Sequence, residues 1–530
     1  MKPIENQTFV EQWGMFELAL PGSSEGNPFL EHSLSAQFVH GQRRMDVAGF
    51  YDGDGTYRVR FMPDAQGAWR YQTSSRQAAL DGIQGTFTCT APSADNHGPV
   101  RVADAYHFAY ADGTPFHPVG TTCYVWNLQG EALEQQTLET LRHAPFNKIR
   151  FCVFPKHYQF NHNEPPLYPF PGTVKRDRDL PVRLGLNQAP PPDYWDFSRF
   201  NPAYFQHLEQ RIGDLQALGI EADLILFHPY DFGSWGFDRM PPEVNDRYLK
   251  YVVARFAAYR NLWWSFANEY ELLFDRSLAD WDHYFQLVQQ TDPYNHLRSV
   301  HNLLKFYDHT QPWVTHCSIQ HHDIAQMTRW QRQYGKPVVV DECGYEGNID
   351  QHWGDLTPQE LVLRFWLGFA EGGYVGHGET YWNPEEVLWW SKGGVLRGES
   401  VARIAFLRQI IEGVPGAGLV PLNPIRFSSF SSLDEARTML ARPDEAASII
   451  AEGGHSLVAG GHSGTDYYLL YYGVHQPLFR EFNLPEGSYR IDIIDTWNMT
   501  ITSFADHASG HVRVTLPVLP YQAIRIVKNG

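Results

Sequence analysis

Two glutamates stand at the ends of apolar runs. The first run, Asn261-Leu262-Trp263-Trp264-Ser265-Phe266-Ala267, ends in Asn268-Glu269-Tyr270. The second, Lys336-Pro337-Val338-Val339-Val340, ends in Asp341-Glu342-Cys343-Gly344. A strand buried on both faces reads as such a run, and a carboxylate at its C-terminal end would lie where a parallel α/β barrel keeps its chemistry. Cleaving a glycosidic bond requires a proton for the leaving oxygen and a partner for the oxocarbenium-like carbon, and two carboxylic groups do both jobs. One must be held protonated and the other ionised. On this reading Glu269 is the acid/base and Glu342 the nucleophile of a retaining double displacement, with the carboxyls about 5–5.5 Å apart. Asn268 is placed to bond a sugar hydroxyl beside the reacting carbon.

Other strand ends carry groups that could hold a sugar: His228 with Tyr230 and Asp231, His301 with Asn302, His321 with His322, and His377 with Glu379. Several imidazoles at one face could also ligate a metal, but no HExxH or fixed ligand spacing supports that, and hydrogen bonding to sugar hydroxyls is the reading adopted. Trp126 could stack on a sugar or plug the fold. No Gly-rich phosphate loop before a helix is present. Cys343, beside the second glutamate, reads as a small buried filler. No cofactor is expected.

The elements that must position these groups follow a strand–loop–helix alternation from Tyr106 to about Glu412. Candidate strands are Phe116–Trp126, Phe146–Phe154, Glu221–His228, Asn261–Asn268, Leu297–Asn302, Thr315–His321, Pro337–Glu342 and Tyr374–Trp382. Helical spacing appears between them. Phe205, Leu208, Ile212, Leu215 and Leu218 recur before Gly219, and Leu249, Val252, Val253 and Phe256 recur later. Eight βα units are the arithmetic of a (β/α)8 TIM barrel. One connection, Pro155 to about Phe200, is too long for a βα loop. Its Pro165-Pro166-Leu167-Tyr168-Pro169-Phe170-Pro171 and Pro190-Pro191-Pro192-Asp193-Tyr194-Trp195 segments suggest an ordered pocket wall. Short strands between Gly/Asp turns on either side predict an α/β chain with three parts: an N-terminal Ig-like β-sandwich over 1–92, the catalytic barrel over 93–415, and a C-terminal β-sandwich over 416–530. Asp52-Gly53-Asp54-Gly55 reads as a turn rather than a calcium loop.

The bulk composition narrows the partners. Of 530 residues, 15% are aromatic, which allows for sugar-stacking surface as well as core, and a formal net charge of −18 argues against nucleic acid and anionic membranes. The five cysteines form no CxxC pair and suit reduced, buried thiols. The start, Met1-Lys2-Pro3-Ile4-Glu5-Asn6-Gln7, shows no secretory h-region, and no apolar run would span a bilayer. A cytoplasmic protein acting on a small carbohydrate, with no nucleic-acid or membrane partner, is expected; a homo-oligomer is compatible with this.

The barrel resembles the clan A glycoside hydrolases, which carry an Asn-Glu acid/base at the end of strand four and a Glu nucleophile at the end of strand seven. Asn268-Glu269 and Glu342 match those positions. Asn147-Lys148-Ile149-Arg150 resembles the clan's strand-two motif, whose Arg supports the nucleophile, and Trp382 falls where the clan places a strand-eight Trp that floors the sugar subsite. The sandwich–barrel–sandwich layout is similar to a bacterial group with an apiosidase-like barrel. It is carried by Phe50-Tyr51-Asp52-Gly53-Asp54-Gly55-Thr56-Tyr57, Gly376-His377-Gly378-Glu379-Thr380-Tyr381-Trp382 and Ile494-Asp495-Thr496-Trp497-Asn498-Met499-Thr500. Many clan members have a strand-six Tyr that bonds the nucleophile; here the segment reads Ser318-Ile319-Gln320-His321-His322-Asp323, so a histidine is expected in that role, or a pocket built for a different sugar. The resemblance implies a retaining glycoside hydrolase, and the long loop together with the absence of an export signal suggests exo action on short substrates. The alternatives are a transglycosidase using the same carboxylates and a non-catalytic carbohydrate-binding protein on a barrel scaffold.

Overall fold

The computed structural model describes residues 8–174, 194–422 and 458–530. The Pro190–Asp193 stretch of the long loop and the Met1–Gln7 start lie outside them.

The central α/β unit contains eight parallel strands: β1 Gly120–Thr122, β2 Lys148–Cys152, β3 Glu221–Phe227, β4 Leu262–Ala267, β5 Leu297–Ser299, β6 Cys317–Gln320, β7 Val338–Glu342 and β8 Tyr374–Val375. They form a five-stranded sheet, β1 to β5 in order, and a three-stranded sheet, β6-β7-β8. A parallel bridge between Thr121 and His377 links the chain after β8 to β1. Each strand lies within its sequence-expected range, and the buried, β-branched and aromatic residues that form it explain why.

The expected helix after every strand fails in one place. The 300–316 connection between β5 and β6 carries no helix. Glu271 pins its start, accepting the backbone N–H groups of Leu303, Leu304 and Lys305 through one carboxylate oxygen at 2.6–2.8 Å. That satisfies donors a first helical turn would otherwise have left open.

The N-terminal region packs a five-stranded sheet on a three-stranded one. Phe38 stacks on Phe61 (4.0 Å) and Phe16 on Phe87 (4.3 Å) between them. Asp52, on the strand Phe50–Gly53 just before the Asp54-Gly55 turn, contacts the α/β unit. Asp52 is buried, and its carboxylate accepts from Arg255 of helix Pro242–Phe256 at 2.6 Å and from Arg58 at 2.5 Å. Arg60 pairs with Glu209 of helix Pro202–Ala217.

The C-terminal region has a six-stranded antiparallel sheet and a two-stranded one around its own apolar cluster. Four strands, Val420–Pro421, Ala459–Ser463, Phe479–Asn483 and Thr500–Ala508, were not legible in the sequence; the last is largely exposed and lacks the alternation that marks a half-buried strand. The Tyr-rich strand Tyr467–Tyr471 meets the α/β unit through Tyr471, whose ring is 5.3 Å from that of Trp366. Among the described residues no helix is long and apolar enough to cross a membrane, and all five cysteines are buried thiols.

Candidate active site

The two glutamates lie on one pocket of ≈ 230 Å³ at the C-terminal ends of the strands. β4 stops at Ala267, and the backbone N–H of Asn268 still bonds Phe227 O at 3.0 Å. Glu269 then takes a left-handed conformation with φ 49°, and Tyr270 N–H returns to His301 O at 3.0 Å. A glutamate in that region carries strain of about 1 kcal/mol or more, sustained by the flanking backbone bonds. Glu342 ends β7 and is paired in the ladder with Gln320 of β6.

Each carboxyl is buried and is met by a tyrosine hydroxyl. Tyr230 donates to Glu269 Oε2 and Tyr124 to Glu342 Oε1. With its amide turned so that both ends are satisfied, Gln320 Nε2 donates to Glu269 Oε1 at 3.0 Å. Gln320 is thus the ladder neighbour of one glutamate and a hydrogen-bond donor to the other.

The Tyr124 hydroxyl is also 3.0 Å from Asn268 Oδ1, so its single proton can serve either acceptor. Arg150, on β2, donates to Asn268 Oδ1 at 2.7 Å and lies 3.2 Å from Glu342 Oε1. Asn268 Oδ1 is therefore held from two sides, while its amide N–H groups make no hydrogen bond among the described residues. Beneath the site, Lys148 joins Asp223 (2.6 Å) and Asp341 (2.8 Å) in a buried ion triad that ties β2, β3 and β7 together.

Burial dominates the electrostatics. It pushes the Glu342 carboxyl up to about 8, and the Tyr345 hydroxyl facing it pulls the other way without the geometry of a full hydrogen bond. Burial also raises Glu269, against the Tyr230 hydroxyl and the Lys156 ammonium, which favour its ionised form.

Of the residues expected to contact sugar, Asn268, Arg150 and Tyr230 join the two glutamates. The others are placed elsewhere. His228 is occupied by backbone, its Nε2 3.2 Å from Phe154 O and its Nδ1 accepting Tyr230 N–H, so it shapes the turn that presents Tyr230. His301 is fully buried 3.9 Å from Glu342 Oε1, behind the carboxylate rather than in the pocket. His321 stacks on His322 at 4.9 Å and faces a separate surface pocket with Leu304, Phe306 and Trp330. His377 is fully buried, 2.9 Å from Thr121 Oγ1 and stacked on Phe146. Glu379 accepts the backbone N–H groups of Arg397 and Gly398. Trp126 packs edge-on to Phe151 with no exposure, which makes it a plug. Trp382 is 52% exposed outside the pocket. Among the described residues no group of three or more His, Cys, Asp or Glu side chains is arranged to hold a metal.

The sequence reading missed Tyr124, Lys156, Tyr158, Tyr345, Trp353 and Trp390, all of which line the pocket. No strand-six histidine donates to Glu342; Tyr124, just past β1, does. Trp390 stands where Trp382 was expected. The short helix Trp389–Lys392 folds back on the β1 end, with Tyr124 N–H bonding Trp390 O and Val125 N–H bonding Ser391 O, both at 2.9 Å. A signal was available in the aromatic pair Trp389-Trp390 followed by Gly393-Gly394, a tight-turn mark, but it falls beyond the strand end where pocket residues were sought.

A parallel α/β unit with two buried carboxyls converging on one pocket at the strand ends is the arrangement of a glycoside hydrolase, and comparison with known proteins agrees. The apiosidase-like catalytic domain family matches residues 103–402, and two families of unknown function, DUF5060 and DUF5605, match residues 9–76 and 456–527. A structure of a candidate glycoside hydrolase from Bacteroides vulgatus ATCC 8482 is 40% identical, with a TM-score of 0.86, covering 99% of this chain and 100% of its own. A family 5 glycoside hydrolase from the same organism shares the fold at 14% identity, with a TM-score of 0.57 over 82% of this chain and 94% of its own. No curated protein sequence matches. The chain belongs to the apiosidase-like catalytic domain family of glycoside hydrolases.

Proposed function

We propose that the eight parallel strands act as one (β/α)8 barrel whose pocket cleaves a terminal glycosidic bond with retention of configuration. The observation that carries this reading is that Glu269 and Glu342, from β4 and β7, share a single small pocket and each accepts from a tyrosine hydroxyl. In the first step the Glu269 carboxyl gives its proton to the glycosidic oxygen, which leaves as an alcohol. The Glu342 carboxylate attacks the anomeric carbon and forms a glycosyl ester. In the second, Glu269, now a carboxylate, takes a proton from water, the oxygen of that water attacks the anomeric carbon, and Glu342 departs. Arg150 and Tyr124 favour the Glu342 anion against the burial that raises its pKa, and the unused amide N–H groups of Asn268 are available to a neighbouring hydroxyl.

Exo action on short glycosides fits the pocket size, which is below the ~300–1,000 Å³ of sites for larger ligands and suits about one sugar ring. Lys156 and Tyr158, from the start of the long loop, form part of its wall. We place the domain boundaries near residues 92 and 415, and take a small carbohydrate as the only partner the site requires. NMR of the first-formed sugar tests the mechanism: the product should carry the substrate's anomeric configuration, whereas inversion removes the nucleophile role from Glu342. Turnover confined to internal bonds of a long polymer removes the exo assignment.

A further inference from the structure

Lys156 is 3% exposed, yet its ammonium makes no hydrogen bond or ion pair among the described residues. A buried cation without an anion forfeits its hydration. Here four aromatic faces stand in for water. Lys156 Nζ lies 3.4 Å from the ring centre of Tyr124, 4.2 Å from Tyr230, 4.9 Å from Trp390 and 5.3 Å from Tyr158. The negative face of each ring attracts the cation, most strongly where water is excluded. Two of these rings have a further role: Tyr124 is the hydroxyl donor to Glu342 and Tyr230 the hydroxyl donor to Glu269.

We propose that Lys156 is a positioning residue for both carboxyls, its single ammonium holding Tyr124 and Tyr230 at the angle from which one hydroxyl reaches Glu342 and the other Glu269. This rests on the reading of those glutamates as nucleophile and acid/base. The geometry has a chemical consequence as well. A cation drawing on the ring electrons makes a phenol a stronger hydrogen-bond donor, so the same ammonium strengthens the donor on each carboxyl. Glu269, Glu342, Tyr345 and His352 share its pocket; Cys152 and Arg150 approach from β2; His228, just past the end of β3, is kept neutral by its burial; and the hydroxyls of Tyr124, Tyr158 and Tyr230 face the same pocket. Burial pulls the Lys156 ammonium down to about 7, and the field of Glu269 opposes this. A group that served only to fill space would be better as an apolar side chain of the same length, because that side chain would remove an unpaired charge from the interior.

The experiment is Lys156→Met in the full chain, compared with wild type on whichever member of a 4-nitrophenyl glycoside panel wild type cleaves, together with its melting temperature and crystal structure. We expect Tm unchanged or higher, kcat lower by about ten- to a hundredfold, and KM within about threefold. In the crystal structure at least one of the two tyrosine hydroxyls should have left its carboxyl. An unchanged kcat overturns the proposal, as does a rise in KM alone, which would make Lys156 a substrate ligand. So does a variant structure with both hydroxyls still on their carboxyls. If wild type cleaves no member of the panel, the glycosidase reading fails on its own, while the two hydroxyl positions still decide this inference.

Discussion

The Arg150 guanidinium lies 3.2 Å from Glu342 Oε1 and bonds the Asn268 side chain at 2.7 Å, so one cation orients both the reading's nucleophile and its sugar-binding amide. The arrangement makes the pH dependence specific. Glu342 must be ionised to attack, so activity is lost as pH falls through its pKa. Burial raises that value to about 8 in the free pocket, and the acid limb of kcat/KM should sit well above the ordinary carboxylate range, near that pH. Arg150→Met removes a cation that favours the anion, so the limb should move further alkaline and kcat/KM at neutral pH should fall by about a hundredfold or more. A limb near pH 4 in both proteins would show that the free pocket does not hold the carboxyl as described.

Glu269 and Glu342 should separate by leaving group. Without the Glu269 carboxyl, Glu269→Ala can still form the glycosyl ester from an activated aryl glycoside, whose phenolate needs no proton. Turnover of alkyl glycosides should drop by about 10²- to 10⁴-fold while the first step on dinitrophenyl glycosides is largely kept. Glu342→Ala should lose both. A steady-state comparison over a series of leaving groups reads this directly, as the slope of log kcat/KM on leaving-group pKa.

The tryptophans make a contrasting pair. Trp390 lines the pocket, 5.6 Å edge-on from Tyr124 and 4.9 Å from Trp353, whereas Trp382 is half exposed and outside it. Of the two, only Trp390 borders the pocket that holds the glutamates. Trp390→Ala should raise KM about tenfold, equivalent to about 1.4 kcal/mol, and Trp382→Ala should leave both kcat and KM within a factor of about two. The reverse pattern would return the subsite floor to Trp382.

That contrast also shows what the sequence could and could not reveal. The strands that hold the glutamates were legible because a strand buried on both faces must be nearly all apolar, and because Asn268-Glu269 and Asp341-Glu342 interrupt that pattern at its end. Arg150 was legible through its likeness to the clan's strand-two motif, and Tyr230 because it lies just past a strand end. What happens past the strand end is set by turns, and there the reading by position failed. Tyr124 and Trp126 are two residues apart, yet one faces the pocket and the other Phe151. His228 and His377 were expected to touch sugar, but a backbone carbonyl and a backbone N–H take the two ring nitrogens of His228, and Thr121 takes Nδ1 of the buried His377. Lys156 was silent because an isolated lysine in a Pro-rich loop gives no hint that three distant aromatics will join Tyr158 in enclosing it.

The backbone at Glu269 supplies a prediction about stability. Its left-handed φ of 49° is costly for any side chain but easy for glycine. Glu269→Ala and Glu269→Gly lose the same carboxyl contacts, so their difference isolates the backbone. The Gly variant should be more stable than the Ala variant by about 1 kcal/mol, read as the difference in denaturant midpoint at equal slope, and both should lack activity on alkyl glycosides. Equal stability would mean that Glu269 relaxes from this conformation in solution.

The Asp52 contact gives the last prediction, remote from the chemistry. Its buried carboxylate accepts from Arg255 across the interface between the N-terminal sandwich and the α/β unit, and from Arg58 within the sandwich. Burial alone would raise its pKa, but the two guanidinium groups and the Gln206 amide hold it below the usual carboxylate value. A carboxyl with a depressed folded-state pKa contributes stability that is present above its unfolded pKa, about 3.9, and lost as pH falls through the folded value. Asp52→Asn keeps the shape and removes the charge, leaving Arg255 with Glu209 as its remaining carboxylate partner. It should cost about 3 kcal/mol at neutral pH, the scale of breaking a buried ion pair from one side. The gap from wild type should hold constant above about pH 5 and narrow as the pH falls below about 4, measured by urea unfolding across the range. Because Asp52 does not line the pocket, kcat and KM of the folded variant should match wild type. A gap independent of pH would show that the asparagine fails through packing rather than through the lost charge.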